Sequence, residues 1–217
     1  SGLFDWCDEV TGAAGRESGN DMRGDLWLDG EPEHRRRIAV GCQTRSVSIC
    51  SAIMTTVLES IRQWLTEDGV SFREVHHEPT RTSEDSARVR GEELKNGGKA
   101  LVMKLDDKFA VFVLPADRRA HSGTIRKTLG VRKLRFATAE ELSELTAADG
   151  RPGLVPGSVP PFGEPILAFP LYVDSAVEEN ERIAFNAGSL TDSIILPVPD
   201  YFRLACPTRV FEFARGD

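Results

Sequence analysis

The sequence predicts an α/β domain of the α+β kind, a mixed and strongly curved sheet of about seven strands with short helices around it. Three observations carry that prediction. Two apolar runs, Gly98-Lys99-Ala100-Leu101-Val102-Met103-Lys104 and Phe109-Ala110-Val111-Phe112-Val113-Leu114-Pro115, are separated by polar Asp106, Asp107 and Lys108 and read as buried strands of a β-hairpin. Two capping boxes, at Thr56-Val57-Leu58-Glu59 and Thr138-Ala139-Glu140-Glu141, open helices on either side of it. The remaining strand-like runs are joined by hairpin-length links, without the regular strand-helix alternation of a doubly wound fold.

Taken in order, residues 1 to 53 differ from the rest of the chain. Gly, Asp, Glu and Arg are scattered through Gly12 to Arg37 without apolar periodicity, which predicts a poorly structured N-terminal extension. The folded domain is expected over residues 54 to 217, with Met54 as a candidate natural start. Val57, Leu58, Ile61, Trp64 and Leu65 recur at helical spacing up to Gly69, and Val70 to His76 alternates as a strand. Thr82 to Asp85 opens a short helix, and Gly91 to Leu94 the start of another. Beyond the hairpin, His121 to Leu129 reads as a helix stopped by Gly130, and the helix from Thr138 runs to about Thr146. Ile166 to Val173, Arg182 to Asn186, Ser193 to Leu196 and Arg209 to Phe213 read as strands, with a helical turn at Pro199 to Leu204.

With 40% apolar and 28% charged residues in 217, the chain has the composition of a globular domain, and no apolar run is long enough for a membrane helix. No basic flank with an apolar signal core opens it, so a cytoplasmic protein is expected. Cys7, Cys42, Cys50 and Cys206 show no close pairing, as expected of reduced thiols, and no metal or other cofactor is called for: His76-His77-Glu78 lacks helical ligand spacing. The net charge of −7 argues against a general coat of basic surface. Yet Arg118, Arg119, Arg126, Lys127, Arg132, Lys133 and Arg135 fall in one segment free of acidic residues, which suits either a phosphate backbone or a solvated helix face.

Familiar catalytic patterns are absent. Gly97-Gly98-Lys99-Ala100 is no Walker loop, since position 93 is Glu and position 100 Ala, and no G-x-S-x-G elbow is present. Two stretches stand out instead. Lys99 sits where a strand enters the core, either with its stem lying on apolar surface or with its ammonium at a site. The loop Gly153-Leu154-Val155-Pro156-Gly157-Ser158-Val159-Pro160-Pro161-Phe162-Gly163 is rich in residues that let a ligand approach the main chain.

These two stretches belong to an ordered set with His77-Glu78-Pro79-Thr80-Arg81-Thr82, Leu114-Pro115-Ala116-Asp117-Arg118-Arg119, Arg135-Phe136-Ala137-Thr138, Tyr172-Val173-Asp174 and Phe185-Asn186-Ala187-Gly188. In that order they resemble the YbaK/prolyl-tRNA synthetase-associated domain family of aminoacyl-tRNA deacylases, over about Met54 to Arg209. The resemblance implies a compact mixed sheet or barrel and trans-editing hydrolysis of mischarged aminoacyl-tRNA without a cofactor. It assigns Lys99 to orienting the tRNA 3′ end, and Gly157 and Pro161 of the G-x-x-x-P loop to positioning the ester and the attacking water. Ser158, Asp174, Asn186 and Gly188 would line the substrate pocket, although Asp174 also suits a turn cap after its strand. Arg118, Arg119, Arg126, Lys127, Arg132 and Lys133 would meet the acceptor end of the tRNA, and an aminoacyl-tRNA synthetase is a further implied partner. Phe185-Asn186-Ala187-Gly188 matches neither the histidine-containing strand of alanyl-specific editors nor the serine-containing strand of cysteinyl-specific ones, so the amino acid is open. The alternative is a tRNA-binding or protein-interaction module of the same fold without turnover.

Overall fold

The computed structural model describes residues 56–80, 82–148 and 150–216. All of them lie in the second of the two units into which the chain divides, Ile53–Asp217. The extension expected over residues 1 to 53, the candidate start at Met54, and Cys7, Cys42 and Cys50 lie outside the described residues.

In chain order the elements are α1 (Val57–Glu67), β1 (Arg73–His76), α2 (Ser83–Arg90), a 3-10 turn (Leu94–Asn96), β2 (Gly98–Leu105), β3 (Lys108–Pro115), β4 (Arg118–Ala120), α3 (Ser122–Leu129), β5 (Leu134–Phe136), α4 (Ala139–Thr146), β6 (Leu171–Val173), a second 3-10 turn (Ser175–Val177), β7 (Arg182–Asn186), β8 (Asp192–Pro197), α5 (Val198–Ala205), β9 (Arg209–Val210) and β10 (Ala214–Gly216). They form a mixed five-stranded sheet ordered β5-β2-β3-β6-β9, a three-stranded sheet β1-β8-β7 and a two-stranded β10-β4 pair. The five-stranded sheet is open at β5 and β9, so the curved sheet expected from the sequence does not close into a barrel.

The hairpin is the centre of the fold. β2 and β3 pair antiparallel from Gly98 with Pro115 to Leu105 with Lys108, so the link is Asp106 and Asp107 alone and Lys108 begins the strand. Asp106 closes that turn at φ 48° and accepts the Lys133 and Arg132 amides, which hold its carboxyl below the usual range. β3 is buried on both faces because the strand pleat sends alternate side chains to two cores. Val111 and Val113 join Ile61, Leu65, Phe162, Phe185 and Tyr201 on one side. Ala110, Phe112 and Leu114 join Met103, Ile125 and Phe213 on the other.

Both capping boxes form as the sequence predicts: Thr56 and Thr138 each accept the third helical amide, and Glu59 and Glu141 reach back to the cap amide. The stretch from Gly91 yields only the 3-10 turn. The strand read over Ile166 to Val173 survives only as Leu171–Val173, because Ile166 and Leu167 turn back to donate to the Gly163 carbonyl. No helix among the described residues is long and apolar enough to cross a membrane.

Candidate active site

A cleft of ≈160 Å³ opens where β2 begins, beside α2, the loop before β6 and the end of β7. Its walls carry Thr80, Thr82, Ser83, Ser86, Arg90, Gly98, Lys99, Ala116, Gly157, Val159 and Asn186. They come from separate stretches of the chain brought together by pairing: Lys99 faces Leu114 in the hairpin, and Gly97 bridges to Ala184 of β7.

Lys99 is half-buried at the strand entrance, and its Nζ donates to the Arg118 carbonyl oxygen at 3.2 Å. An ammonium has three hydrogens. Two of them have no partner among the described residues. Gly157 holds φ at +90°, a conformation that favours glycine, and a Cβ there would also press on Leu190 at 3.3 Å. Neither the Gly157 nor the Val159 N–H has a hydrogen-bond partner among the described residues, while both residues line the cleft.

The loop carrying these amides is tied down along its length. Asn186 Nδ2 donates to the Gly157 oxygen at 2.7 Å, and Gly188 N to the Ser158 oxygen at 3.0 Å. Ser158 Oγ turns back on the Val155 main chain. The Tyr201 hydroxyl donates to the Pro161 oxygen at 2.8 Å, and burial pushes that phenol far above its usual pKa. Phe162 packs against Trp64, Phe185 and Tyr201 with ring centroids 5.3, 5.3 and 5.5 Å away. Aromatic pairs of this kind add ~0.5–1.5 kcal/mol each beyond area burial. A loop so rich in Gly and Pro is therefore rigid here.

A family model described as an aminoacyl-tRNA editing domain matches residues 77–204, which span every residue lining the cleft. The chain belongs to the aminoacyl-tRNA editing domain family. Editing in this family is deacylation, so the protein is an aminoacyl-tRNA deacylase, an ester hydrolase. Among relatives, the multifunctional Ser/Thr-tRNA deacylase ProXp-y of Escherichia coli K12 is 36% identical over 152 residues, 67% of this chain and 86% of that one. A proline–tRNA ligase of Shouchella clausii KSM-K16 is 32% identical over 107 residues, 49% of this chain and 18% of the ligase. A crystal structure described as a candidate trans-editing enzyme for prolyl tRNA synthetase shares the fold, with a TM-score of 0.61 at 23% identity over 74% of this chain and 98% of that one.

Within this editing domain the structure brings Lys99, Gly157 and Asn186 to one cleft. Ser158, Pro161 and Gly188 stand behind it as supports of the loop. At Gly188, φ is +86° and a Cβ would lie 2.5 Å from the Val57 Cβ, so the close approach of α1 explains the glycine. Asp174 does not line the cleft. It is fully buried at the end of β6, where Oδ1 accepts the Ala176 amide at 2.9 Å and Oδ2 those of Phe213 and Ala214 at 2.6 and 2.5 Å. That is the turn-capping alternative, extended to hold the C-terminal strand.

Of the basic segment, Arg118 reaches Glu179 at 3.4 Å, and Arg135 is engaged by both oxygens of Glu141. The Arg135 guanidinium and the Thr138 amide pull the Glu141 carboxyl down to about 2, so this arginine is committed to its own helix cap. Arg119 is exposed on β4. Arg126 and Lys127 in the last turn of α3, with Arg132 and Lys133 beyond it, are exposed and make no salt bridge to another described residue.

Among the polar groups in the cleft not singled out from the sequence, two are buried. Arg90 at the end of α2 has a buried guanidinium, and Thr80 is a buried hydroxyl of the His77 to Thr82 motif. A basic residue in the last turn of a helix ordinarily reads as a solvated complement to the helix dipole. The motif around Thr80 was visible, but its inward hydroxyl was not.

Proposed function

We propose that this protein acts in trans on tRNA misacylated with a hydroxyl-bearing amino acid, seryl or threonyl esters being the first substrates to test. The observation that carries the chemistry is the make-up of the cleft: two cationic side chains and two unpartnered main-chain amides, with no carboxylate, histidine or cysteine among its lining residues. Such a site offers no protein nucleophile paired with a base. It suits a reaction in which the ester is already activated and needs a held water and a stabilised oxyanion.

In the proposed mechanism the ester carbonyl lies against the Gly157 and Val159 N–H groups. Water adds to the carbonyl carbon, the carbonyl electron pair moves to the oxygen and is met by those donors, and collapse expels the terminal ribose oxygen of the tRNA. The proton lost by water is relayed to the departing oxygen by the neighbouring ribose hydroxyl of the substrate, which supports a site without its own base. Lys99 holds the tRNA 3′ end over the loop, with Asn186 fixing the loop from below.

The hydroxyl preference is supported by the Escherichia coli relative's substrates and by the walls of the cleft. Ser86 Oγ has two acceptors within reach, Thr80 Oγ1 at 2.8 Å and the Thr82 oxygen at 2.9 Å, but one hydrogen to give. The Thr80–Ser86 pair can therefore turn to donate to, or accept from, a substrate hydroxyl. Thr80→Val is expected to cut kcat/KM for seryl-tRNA about tenfold more than for alanyl-tRNA. Equal losses for both esters would remove Thr80 from specificity.

Arg126, Lys127, Arg132 and Lys133 are proposed to meet the acceptor stem, with Arg118 and Arg119 closer to Lys99. Arg126→Glu with Lys127→Glu should raise KM by about tenfold with kcat little changed, and flatten the dependence of KM on salt. An unchanged salt slope would mark this face as ordinary solvated surface. Residues 54 to 217 are proposed as the whole editing domain, working in the cytoplasm beside a synthetase. The decisive experiment is deacylation of a panel of labelled seryl-, threonyl-, alanyl- and cysteinyl-tRNAs. Tight tRNA binding without loss of any ester would replace the enzyme by a binding module.

A further inference from the structure

Arg90 is 7% exposed, yet its guanidinium faces no carboxylate within ion-pair distance among the described residues. Nε donates to Ser193 Oγ at 2.9 Å, Nη1 to the Ala184 oxygen at 3.2 Å, and Nη2 to Asn186 Oδ1 at 2.6 Å. Burial pulls its pKa down to about 10, which still leaves a cation at neutral pH. A buried, unpaired charge is costly, and a well-packed apolar side chain in its place is commonly no worse for stability. Stability is therefore not what its three directed hydrogen bonds best explain.

We infer that Arg90 is a positioning residue for the Gly157–Pro161 loop, acting through the side-chain amide of Asn186. Asn186 has one accepting end and one donating end, and its orientation decides which of them meets the loop. Oδ1 receives the short, charge-assisted bond from Arg90, so Nδ2 is turned to the Gly157 oxygen at 2.7 Å. Ser193 cannot take over that task. Its hydroxyl lies 3.1 Å from Asn186 Oδ1 but 2.8 Å from His77 Nε2, and His77 Nδ1 faces the Glu78 oxygen at 2.8 Å. The ring nitrogen facing a carbonyl carries the hydrogen, which leaves Nε2 to accept from Ser193. Without Arg90, Asn186 Oδ1 loses the cation that fixes the orientation of its amide, and the 2.7 Å bond from Nδ2 that ties down the Gly157 oxygen is expected to loosen, and with it the loop that carries the cleft's unpartnered amides.

This inference rests on the deacylase reading for its kinetic arm and stands apart from it in its structural arm. The test compares the native protein with Arg90→Met, Arg90→Lys, Asn186→Ala and the Arg90→Met, Asn186→Ala double variant. The kinetic readout is hydrolysis of whichever ester of the panel the native protein turns over; the structural one is amide hydrogen exchange across residues 155–163. Arg90→Met should lower kcat on the order of 30-fold with KM nearly constant, since small displacements of positioning groups act on the transition state. The double variant should be no slower than Asn186→Ala, and Arg90→Lys should restore little, because a single ammonium cannot hold Ser193 and Asn186 in a fixed fork. Exchange should quicken in the loop and not in the β2–β3 hairpin. Native kcat in folded Arg90→Met, multiplying effects in the double variant, or exchange raised evenly through the domain would each overturn the assignment. If Arg90→Met does not fold, Asn186→Ala is expected to show the same kinetic and local exchange changes, and native behaviour there overturns it. A native protein inactive on every ester sinks the deacylase reading, while the exchange result alone still decides the role of Arg90.

Discussion

Lys99→Ala is expected to lower kcat for aminoacyl-tRNA hydrolysis by roughly 100-fold or more, with the melting temperature nearly unchanged. Among the described residues the ammonium makes one hydrogen bond, to the Arg118 main-chain oxygen at 3.2 Å, and Arg118 is only part-buried, so water can replace the lysine there. Little stability is therefore at stake. What is lost is the cation that holds the tRNA 3′ end over the loop, and a small misplacement of the bound ester relative to the main-chain donors can cost on the order of 100-fold in rate. Lys99→Arg should recover only a small part, since a planar fork on a longer side chain puts its charge elsewhere. Single-turnover hydrolysis of the preferred ester by native and variant protein, with circular dichroism to confirm folding, measures both. A variant within threefold of native would return Lys99 to the other reading the sequence allowed, a stem lying on apolar surface.

Asp174→Ala should have the opposite profile, a loss of ~3–5 kcal/mol in stability with turnover by the remaining folded protein close to native at low temperature. Three buried main-chain amides converge on this side chain, two of them 39 and 40 residues further along the chain. Alanine leaves all three without an acceptor. Phe213 leads into β10 and Ala214 begins it, and among the described residues β10 pairs only with β4, so the C-terminal strand should be first to loosen. For a domain of this size the loss corresponds to a fall of roughly 10 °C in melting temperature. A fully stable Asp174→Ala protein with raised KM would instead support the pocket role that the family resemblance assigned to it.

The contrast between these two residues shows where sequence reading reaches its limit. Lys99 could be placed because its meaning depends on the apolar run directly after it: eight residues of β2 pair with eight of β3 across a two-residue link. Asp174 also ended a strand, but whether it faced a pocket or capped a turn depended on what the last residues of the chain did. Short strands were invisible for a related reason. β4, β5 and β10 each have three residues, Arg118–Ala120, Leu134–Phe136 and Ala214–Gly216, too few for an alternation to stand out from chance. They exist because a neighbouring strand edge offers them hydrogen-bond partners.

The sequence by itself determined where the capped helices begin, the central hairpin, the Gly/Pro loop and the family. Each of these rests on interactions between residues a few positions apart, such as a capping hydroxyl and the third helical amide, or on an ordered run of motifs. Only the tertiary structure decided which motif residues meet. Asn186 and Gly157 are 29 residues apart in the chain and share a hydrogen bond. Arg90 and Asn186 are 96 apart, and nothing near Arg90 in sequence marks it as buried. Burial of a charged group is set by what folds over it, and for Arg90 that is β7 and β8, whose Ala184, Asn186 and Ser193 supply the acceptors that let a cation stay inside the domain.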